Sequence, residues 1–330
     1  MSFSVQCEKS GLYFCPSTLN SIFAQRRNLL RPAFYRMLLD ALRFRREASE
    51  LIETDDYSLT LQAYLDKKRY SAAFIDNFII PMGGAIWSAD PVQFREFPAR
   101  YLVEFFNNHG VLNIRNQPQW LVVKGGSNQY IEPITRPFRD EIRLNSPVTA
   151  IRRFEDRVDI ETAGGQTEAF DQVVIAAHSD QALQMLSDPT EREHDILCVI
   201  PYQENLAVLH KDASLMPPKK IAWASWNYHI PKAEKGRVAL TYYMNRLQSL
   251  SAQEEFCVTL NMPEAIDRAK VIESIVYHHP VYDPNGLQAR RRQDELNGHN
   301  RTYYCGAYWG YGFHEDGVNS ALAVCKHCLL

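Results

Sequence analysis

The residues of this chain best suited to chemistry lie in the segment 303–321, close to the C-terminal end of the sequence. Its pattern predicts a strand at 302–305, a glycine-rich loop from Gly306 to Gly317 and a helix from Val318 onward. Glycine lets backbone approach a ligand closely, and a helix beginning near Gly317 would direct unpaired N–H groups and a partial positive charge at that ligand. The segment therefore predicts a cradle for an anion or dipole. An ordinary strand–loop–helix connection packed by aromatic side chains is the alternative.

One group in this loop could move protons. His314 is followed by Glu315 and Asp316, and a histidine titrates near neutral pH, which suits acid–base catalysis. A hydrogen bond that stabilises the loop is an equally good interpretation.

Trp223, Trp226 and Tyr228 could line a substrate cavity, or they could fill a core as most aromatic side chains do.

No metal site is predicted. Cys325 and Cys328 have the spacing of a redox or metal pair, but no second pair of ligands follows at zinc spacing, and two incidental helical thiols explain them. His278 and His279 lack the carboxylate spacing of a metalloenzyme motif, so a turn at a strand end is the expected role.

Length and composition bound the class of protein. A chain of 330 residues exceeds what one hydrophobic core usually serves, so two domains are expected. A net charge of −3 argues against a nucleic-acid partner. Seven scattered cysteines and the absence of a signal-like start indicate a cytoplasmic location, and no apolar run approaches a transmembrane length.

The elements that would position these residues differ along the chain. Helices are predicted at 18–50 with a break at Pro32, at 58–68 and at 91–108, and a further helix at 127–140. Short strands are predicted at 148–154, 158–162 and 170–177, and a second sheet from pieces between 200 and 280, including one at 221–226. The fold class is therefore mixed α/β.

Arginine is concentrated on the first helices. These side chains could rest on anionic lipid headgroups as a peripheral membrane contact, or they could form a solvated helix face. The residues are Arg26, Arg27, Arg31, Arg36, Arg43, Arg45 and Arg46.

The segment 303–321 resembles the C-terminal flavin-binding motif of the flavin-containing amine oxidase superfamily. It is especially similar to a bacterial branch of amine-oxidase-like proteins associated with cyclopropane-type fatty-acid enzymes. Landmarks at 1–5, 23–30, 80–88, 123–127, 223–228 and 279–280 resemble that branch in the same order, so the resemblance covers nearly the whole chain.

The resemblance implies FAD as cofactor and a set of residues that contact it. Val148 would lie against the adenine, and the last helix would meet the isoalloxazine. Ala307 stands where the superfamily usually has an acidic residue that holds the ribityl chain. The implied cofactor-binding residues are Gly125, Gly126, Val148, Gly306, Gly312, Asp316, Gly317 and Val318. Tyr311 lies near the aromatic position that lines the flavin face in the family, and with His314 and Trp226 it completes the set of candidate catalytic residues.

The resemblance also implies a discontinuous fold. Residues 117–187 and 301–330 would form the remnant of a Rossmann-like FAD-binding domain, and residues 1–116 and 188–300 an amine-oxidase-like substrate domain. We expect the strand at 302–305 to lie beside the module at 172–177. No glycine pattern of the G-x-G-x-x-G type is present, so the N-terminal segment that grips the flavin pyrophosphate is expected to be missing.

The expected function is that of an FAD-dependent oxidoreductase that removes a hydride from an amine or from a lipid acyl substrate. The alternative is an N-terminally truncated, non-catalytic remnant or binding module that cannot retain FAD. The expected partner is a small-molecule or lipid substrate, and self-association is expected if an apolar sheet edge is exposed.

Overall fold

The computed structural model of the protein describes residues 2–113, 118–233 and 236–328. The chain divides into two compact units, each built from two segments. Unit 1 comprises Met1–Ile134 and Gln203–His279, and unit 2 comprises Thr135–Tyr202 and Pro280–Leu330. The mixed α/β class is confirmed. The assignment of one part of the chain to flavin and the other to substrate stays a prediction, and its boundary at 116/117 lies outside the described residues.

Strands and helices follow one another irregularly along the chain. The strands are β1 (Phe3–Cys7), β2 (Leu12–Phe14), β3 (Val148–Arg153), β4 (Val158–Thr162), β5 (Thr167–Phe170), β6 (Val173–Ile175), β7 (Tyr202–His210), β8 (Trp226–Ile230), β9 (Ala239–Tyr243), β10 (Cys257–Leu260), β11 (Val271–Pro280) and β12 (Thr302–Tyr304). The helices are α1 (Leu19–Ile22), α2 (Pro32–Glu47), α3 (Leu61–Lys67), α4 (Ala72–Phe74), α5 (Ile80–Trp87), α6 (Pro91–Arg95), α7 (Ala99–Asn108), α8 (Ile131–Thr135), α9 (Ser179–Met185), α10 (Glu191–Leu197), α11 (Met244–Leu247), α12 (Pro284–Arg290) and α13 (His314–Cys328).

Unit 1 is organised around a seven-stranded sheet with the order β11-β7-β10-β9-β8-β1-β2. β1 and β8 run parallel, with Val5 opposite Tyr228, whereas β8, β9 and β10 are successive antiparallel neighbours. The sheet takes its strands from both segments of the unit, because β1 and β2 lie at the start of the first segment and β8–β10 lie in the second. The second sheet expected between 200 and 280 is therefore confirmed, but it also includes the N-terminal hairpin.

The helices of unit 1 follow from apolar periodicity and from proline. α2 begins with Pro32 in its first turn and buries Phe34, Met37, Ala41 and Phe44 at helical spacing. The break expected at Pro32 is thus confirmed. In α5, a Cβ at Gly83 would lie 2.0 Å from Cζ of Phe94, so only glycine permits this close packing of α5 against α6.

Unit 2 contains a three-stranded antiparallel sheet, β3-β4-β5, and a two-stranded parallel sheet, β12-β6. Tyr303 lies opposite Val174 in the parallel pair, which confirms the expected neighbourhood of 302–305 and 172–177. Ile151, Val158, Ile175 and Tyr304 are buried in one core cluster that joins the two sheets.

Three predicted elements differ in the structure. The predicted helix at 91–108 is two helices, because Pro98 ends the first and precedes α7. The predicted helix at 127–140 is mostly 3₁₀ turns around the short α8, since prolines at 133 and 137 interrupt it. The predicted strand at 221–226 is a 3₁₀ turn at Lys220–Ala222, and β8 begins only at Trp226.

Candidate functional site

The C-terminal loop of unit 2 connects β12 to α13 and is fastened at both ends. The N–H of Cys305 donates to the carbonyl of Ile175 at 3.1 Å, which continues the parallel ladder by one residue. The N–H of Gly306 donates to Oγ of Ser320 at 2.9 Å, and that hydroxyl donates to the carbonyl of Gly317 at 2.8 Å. The start of the loop is therefore held against the first turns of α13.

Two glycines of this loop are required by its own packing. A Cβ at Gly306 would lie 2.5 Å from Cε1 of Tyr308, and one at Gly312 would lie 2.3 Å from the hydroxyl of Tyr282. Gly312 also has a φ of +92°, which side chains other than glycine rarely adopt. These contacts support the structural interpretation of both glycines, and their role in binding a cofactor stays a prediction.

The last helix begins earlier than the sequence pattern predicts. α13 starts at His314, and the N–H groups of Asp316 and Gly317 both donate to the carbonyl of Phe313, at 3.0 and 3.2 Å. Oδ2 of Asp316 accepts from the N–H of Phe313 at 2.9 Å. The expectation of unpaired N–H groups at Gly317 is therefore wrong, because Asp316 caps the turn that the loop residue Phe313 begins.

One side of α13 nevertheless leaves room for a ligand. We call it the α13 face and define it by Phe313, Gly317, Val318 and Leu322. Val318 is 53% exposed and Leu322 is 54% exposed. A Cβ at Gly317 would meet nothing nearer than the backbone nitrogen of Ala307, at 3.9 Å. A flat, largely apolar ring system fits such a surface, so the residues present at Gly317 and Val318 fit the isoalloxazine of FAD.

The predicted site residues are distributed over both units. Val148 is half-buried at the start of β3, beside an irregularity in its register with β4. His314 is exposed and Tyr311 is half-buried in unit 2, whereas Trp226 belongs to β8 in unit 1. Gly125 and Gly126 have φ values of +83° and +89° in an exposed turn of unit 1, which explains why glycine occupies both positions.

A cavity of about 390 Å³ lies within unit 1. Trp226 contributes to its wall, whereas Tyr228 is buried and Trp223 donates its indole N–H to the carbonyl of Pro217 at 2.8 Å. Of the three aromatic residues named from the sequence, Trp226 is the one that lines the cavity. The apolar part of the wall consists of Phe3, Pro16, Phe78, Met82, Ile86, Val111, Trp120 and Trp226.

Sequence reasoning missed two other residues of this cavity, Arg45 and His109. Nδ1 of His109 lies 2.8 Å from the carbonyl of Phe105 and must donate to it, because a carbonyl oxygen only accepts. The His109 ring is stacked between the rings of Phe105 and Trp120, at centroid distances of 3.9 and 5.7 Å. Arg45 follows Ala41 by four residues, so helical spacing could have placed it next to the buried stripe of α2.

Among residues 2–113, 118–233 and 236–328, no group of three His, Cys, Asp or Glu side chains is arranged to hold a metal ion. Cys325 is exposed, and the side chain of Cys328 lies outside the described residues. In the same part of the chain, no helix combines the length and apolar character needed to cross a bilayer.

The sequence model of a family described as flavin containing amine oxidoreductase matches residues 3–207. No curated protein sequence matches the chain. Similar solved structures include the fatty acid isomerase from P. acnes that produces CLA, with a TM-score of 0.63 and 14% identity over 99% of this chain and 79% of that one. Wild-type putrescine oxidase bound to putrescine has a TM-score of 0.65 and 11% identity over 100% and 81% of the two chains. Cyclohexylamine oxidase from Brevibacterium oxydans IH-35A has a TM-score of 0.63 and 13% identity over 100% and 81%.

Proposed function

Because the chain belongs to the flavin containing amine oxidoreductase family, we propose that it is an FAD-dependent oxidoreductase that removes a hydride from an amine or a lipid acyl substrate. The family is flavin-containing, which supports FAD as the cofactor. The observation that carries the proposal beyond family membership is the exposed α13 face, where apolar side chains adjoin the C-terminal loop and a Cβ at Gly317 would make only ordinary van der Waals contact with Ala307.

The position of this face in the topology supports the same function. β6 and β12 run parallel, and the chain leaves the carboxyl end of β12 directly into the loop at Gly306. In parallel α/β sheets, ligands bind in the crevice outside the carboxyl ends of the strands. The C-terminal loop and the start of α13 lie after such a strand end.

The candidate residues would have different roles in binding and in proton transfer. Gly317 and Val318 would bind the flavin ring, Val148 would contact the adenine, and His314 or Tyr311 would hold or move a proton beside the ring. When bound, the flavin supplies the acceptor for a hydride. Gly125, Gly126, Gly306, Gly312 and Asp316 are assigned to cofactor binding by the resemblance, and Trp226 to the substrate side.

The proposal is tested by titrating the purified chain with FAD and following flavin fluorescence and absorbance. Gly317→Leu fills the space above the helix and should lower the flavin bound to less than a tenth of the wild-type amount at equal FAD concentration. Asn319→Leu is the matched control, because it places the same side chain at an exposed position of the same helix, and it should leave flavin binding unchanged. Equal flavin binding by both variants would contradict the assignment of the α13 face.

The second candidate function is a non-catalytic binding module. It is favoured if the wild-type chain stays colourless with excess FAD while still binding an apolar ligand. Flavin that binds but is not reduced by any amine or acyl substrate would support the same alternative.

Peripheral membrane contact is part of the proposed function, and exposed leucines of the first helices support it. Leu30 is 87% exposed, Leu19 is 78% exposed and Leu39 is 63% exposed. Leu30 and Leu39 line one surface depression together with Arg36, and exposed apolar side chains beside an arginine are typical of surfaces that bind anionic lipid. Sedimentation with vesicles of phosphatidylglycerol, but not with neutral phosphatidylcholine vesicles, is the expected result. Leu30→Gln together with Leu39→Gln should abolish the sedimentation.

Self-association and a cytoplasmic location stay predictions. The edge strand β11 supports the first, because Ile272, Val276 and Tyr277 are exposed on a long strand at the border of the seven-stranded sheet. Analytical ultracentrifugation of the wild-type chain and of Ile272→Lys would measure its contribution.

A further inference from the structure

The cavity of unit 1 combines an apolar wall with a single kind of charge. Phe3, Phe78, Met82 and Ile86 contribute aromatic and aliphatic surface, and the volume of about 390 Å³ lies in the range of about 300–1,000 Å³ that is typical of small-molecule sites. None of the described lining residues carries a carboxylate, and Arg45 is the one lysine or arginine among them. The charge that a ligand meets in this part of the cavity is therefore positive.

Arg45 differs from its neighbours on α2 in having no partner within the described residues. Arg36 is paired with Asp40 at 3.3 Å, and Arg43 is paired with Asp40 at 3.3 Å and with Glu47 at 3.2 Å. For Arg45, no hydrogen bond or ion pair is found in the described part of the chain, and burial lowers its pKa. A guanidinium stays charged in proteins, so Arg45 is a half-buried cation for which the described residues supply no counter-ion.

We propose that this cavity binds an apolar carboxylic acid, with the guanidinium of Arg45 bound to the carboxylate and the aromatic and aliphatic wall around the hydrocarbon part. The inference rests on the proposed function and deepens it, because it selects the acyl acid rather than the amine as substrate class. A guanidinium matches a carboxylate with two parallel N–H···O bonds. An ammonium group at the same place would be repelled by Arg45 and would find no carboxylate in the described wall.

His109 adds a stacked ring to the cavity wall, and two serines add hydroxyl groups. Its Nδ1 is engaged by the carbonyl of Phe105, and its ring lies flat between Phe105 and Trp120, so the side chain is fixed in the wall. The hydroxyl residues Ser2 and Ser17 also line the cavity. Hydroxyl groups can donate hydrogen bonds to a carboxylate, and they carry no charge that would attract an ammonium as an aspartate or glutamate would.

The experiment compares ligands that share a hydrocarbon chain and differ in the head group. Decanoate, methyl decanoate and decylamine are titrated below their micelle concentrations, and binding is followed by calorimetry and by the fluorescence of Trp120 and Trp226, which line the cavity. The wild-type chain should bind decanoate at least about tenfold more tightly than decylamine, because charge-assisted hydrogen bonds form only with the carboxylate. Equal or tighter binding of decylamine overturns the proposal.

Two arginines on the same helix provide matched variants. Arg45→Met should weaken decanoate binding about 10- to 100-fold and change methyl decanoate binding less than about threefold. Arg46→Met removes the same charge from a side chain that is 79% exposed, and decanoate binding should change less than about threefold. Equal losses in the two variants contradict a specific contact. Arg45→Lys keeps the charge and should recover part of the affinity, which separates loss of the contact from loss of the fold.

Failure of this inference and failure of the proposed function give different results. Flavin content is measured in the same samples. Decanoate binding that depends on Arg45 in a chain that never binds FAD would support the acid site and contradict the oxidoreductase. A chain that binds FAD and prefers decylamine would keep the oxidoreductase and overturn the acid site.

Discussion

Both units bury polar side chains in their cores, but they use different chemistry to do so. In unit 1 a chain of neutral side chains crosses neighbouring strands of the sheet: Nε2 of His210 lies 2.7 Å from Oγ1 of Thr259, which lies 2.9 Å from Oγ1 of Thr241. Oγ1 of Thr241 lies 2.9 Å from Nε2 of His229. In unit 2 the corresponding group is ionic and is centred on Arg153 and Glu193.

The direction of the hydrogen bonds in unit 1 can be assigned from one end. Nδ1 of His210 accepts from the N–H of Asp212 at 3.0 Å, so Nε2 carries the hydrogen and donates to Thr259. Each threonine then donates onward, and Nε2 of His229 accepts. This order requires both imidazoles to be neutral, and burial lowers the pKa of His210 and lowers that of His229 to about 4.

The group in unit 2 holds charges that satisfy one another. Arg153 bonds both oxygens of Glu193 and also Oδ1 of Asp188 at 3.1 Å, and the hydroxyl of Tyr304 donates to Glu193 at 2.6 Å. Burial by itself would raise the pKa of Glu193, but the hydrogen bonds from Arg153, from the N–H of Thr190 and from Tyr304 outweigh it and lower the pKa. The buried group of unit 1 is therefore destabilised when one of its histidines gains a proton. The buried group of unit 2 is destabilised when one of its charged residues loses its partner.

The largest effect is expected from removing the cation of unit 2. Arg153→Met leaves Glu193 as a buried carboxylate without its counter-ion and should lower the free energy of unfolding of unit 2 by about 3–5 kcal/mol. Trp309 is the one tryptophan of the sequence that falls in unit 2, so its fluorescence during urea unfolding is the measurement. Arg157→Met, at an exposed site, should change the same value by less than about 0.5 kcal/mol.

Acid should affect unit 1 before unit 2. The folded-state pKa of His229 is about 4 and its ordinary value is 6.5, so the unfolded chain binds more protons between these values and stability falls as the pH falls through that window. The loss from His229 is on the order of 3 kcal/mol at pH 4. Glu193 has a lowered pKa, so its contribution is lost only below its ordinary value of 4.5.

The measurement follows the tryptophans of unit 1 and Trp309 separately. Trp309→Phe removes the signal of unit 2, and His229→Gln removes the titrating imidazole. Simultaneous loss of both units at pH 5 to 6 would contradict the distinction between them.

A smaller effect is expected from interrupting the hydrogen-bonded chain. Thr241→Val removes the acceptor of the Thr259 hydroxyl hydrogen and the donor to Nε2 of His229, and it should lower the unfolding free energy of unit 1 by about 2 kcal/mol. Adding Thr259→Val should cost less than the sum of the two single changes, because the two hydroxyls interact directly. Additive losses would indicate that these hydrogen bonds stabilise the sheet independently of one another. Ser274→Ala on the exposed part of β11, in the same unit, is the control.

The smallest effect is expected at Tyr304. Tyr304→Phe removes one donor from Glu193, while Arg153 and Thr190 remain, so unit 2 should lose about 1.5 kcal/mol. The Trp309 signal in urea again reports the change. A loss as large as that of Arg153→Met would show that the hydroxyl, and not the guanidinium, dominates the cluster.

Local patterns in the sequence predicted many elements correctly. Proline and apolar spacing predicted α2, and alternating β-rich pieces predicted β3, β4, β9 and β10. The pairing of β12 with β6 was also predicted, although from resemblance rather than from pattern. The start of α13 was predicted wrongly, because a glycine in the first turn was taken as the helix boundary, whereas the capping bond of Asp316 to Phe313 places the boundary earlier.

The candidate sites also contain residues that the sequence could reveal and residues that it could not. The sequence pointed to the C-terminal loop and to Trp226, because glycine spacing and aromatic clusters are visible without a structure. It placed Arg45 among arginines that looked equivalent, since no pattern tells a paired arginine from one that faces a cavity. Only the tertiary structure, which brings Arg45 into the wall of one cavity with Phe78 and Trp226, separates Arg45 from Arg46.

The sequence by itself determined the family, the mixed class and the apolar faces of the helices, because these depend on composition, local periodicity and motifs of neighbouring residues. Only the tertiary structure decided which polar residues are buried together. His210 and His229 are linked only through Thr259 and Thr241 on neighbouring strands, so their connection depends on strand order and register. Arg153 of β3 and Glu193 of α10 are 40 residues apart, so their hydrogen bonds form only in the folded unit. Burial then makes satisfied partners necessary, because an unpaired polar group in a core costs about 1–3 kcal/mol.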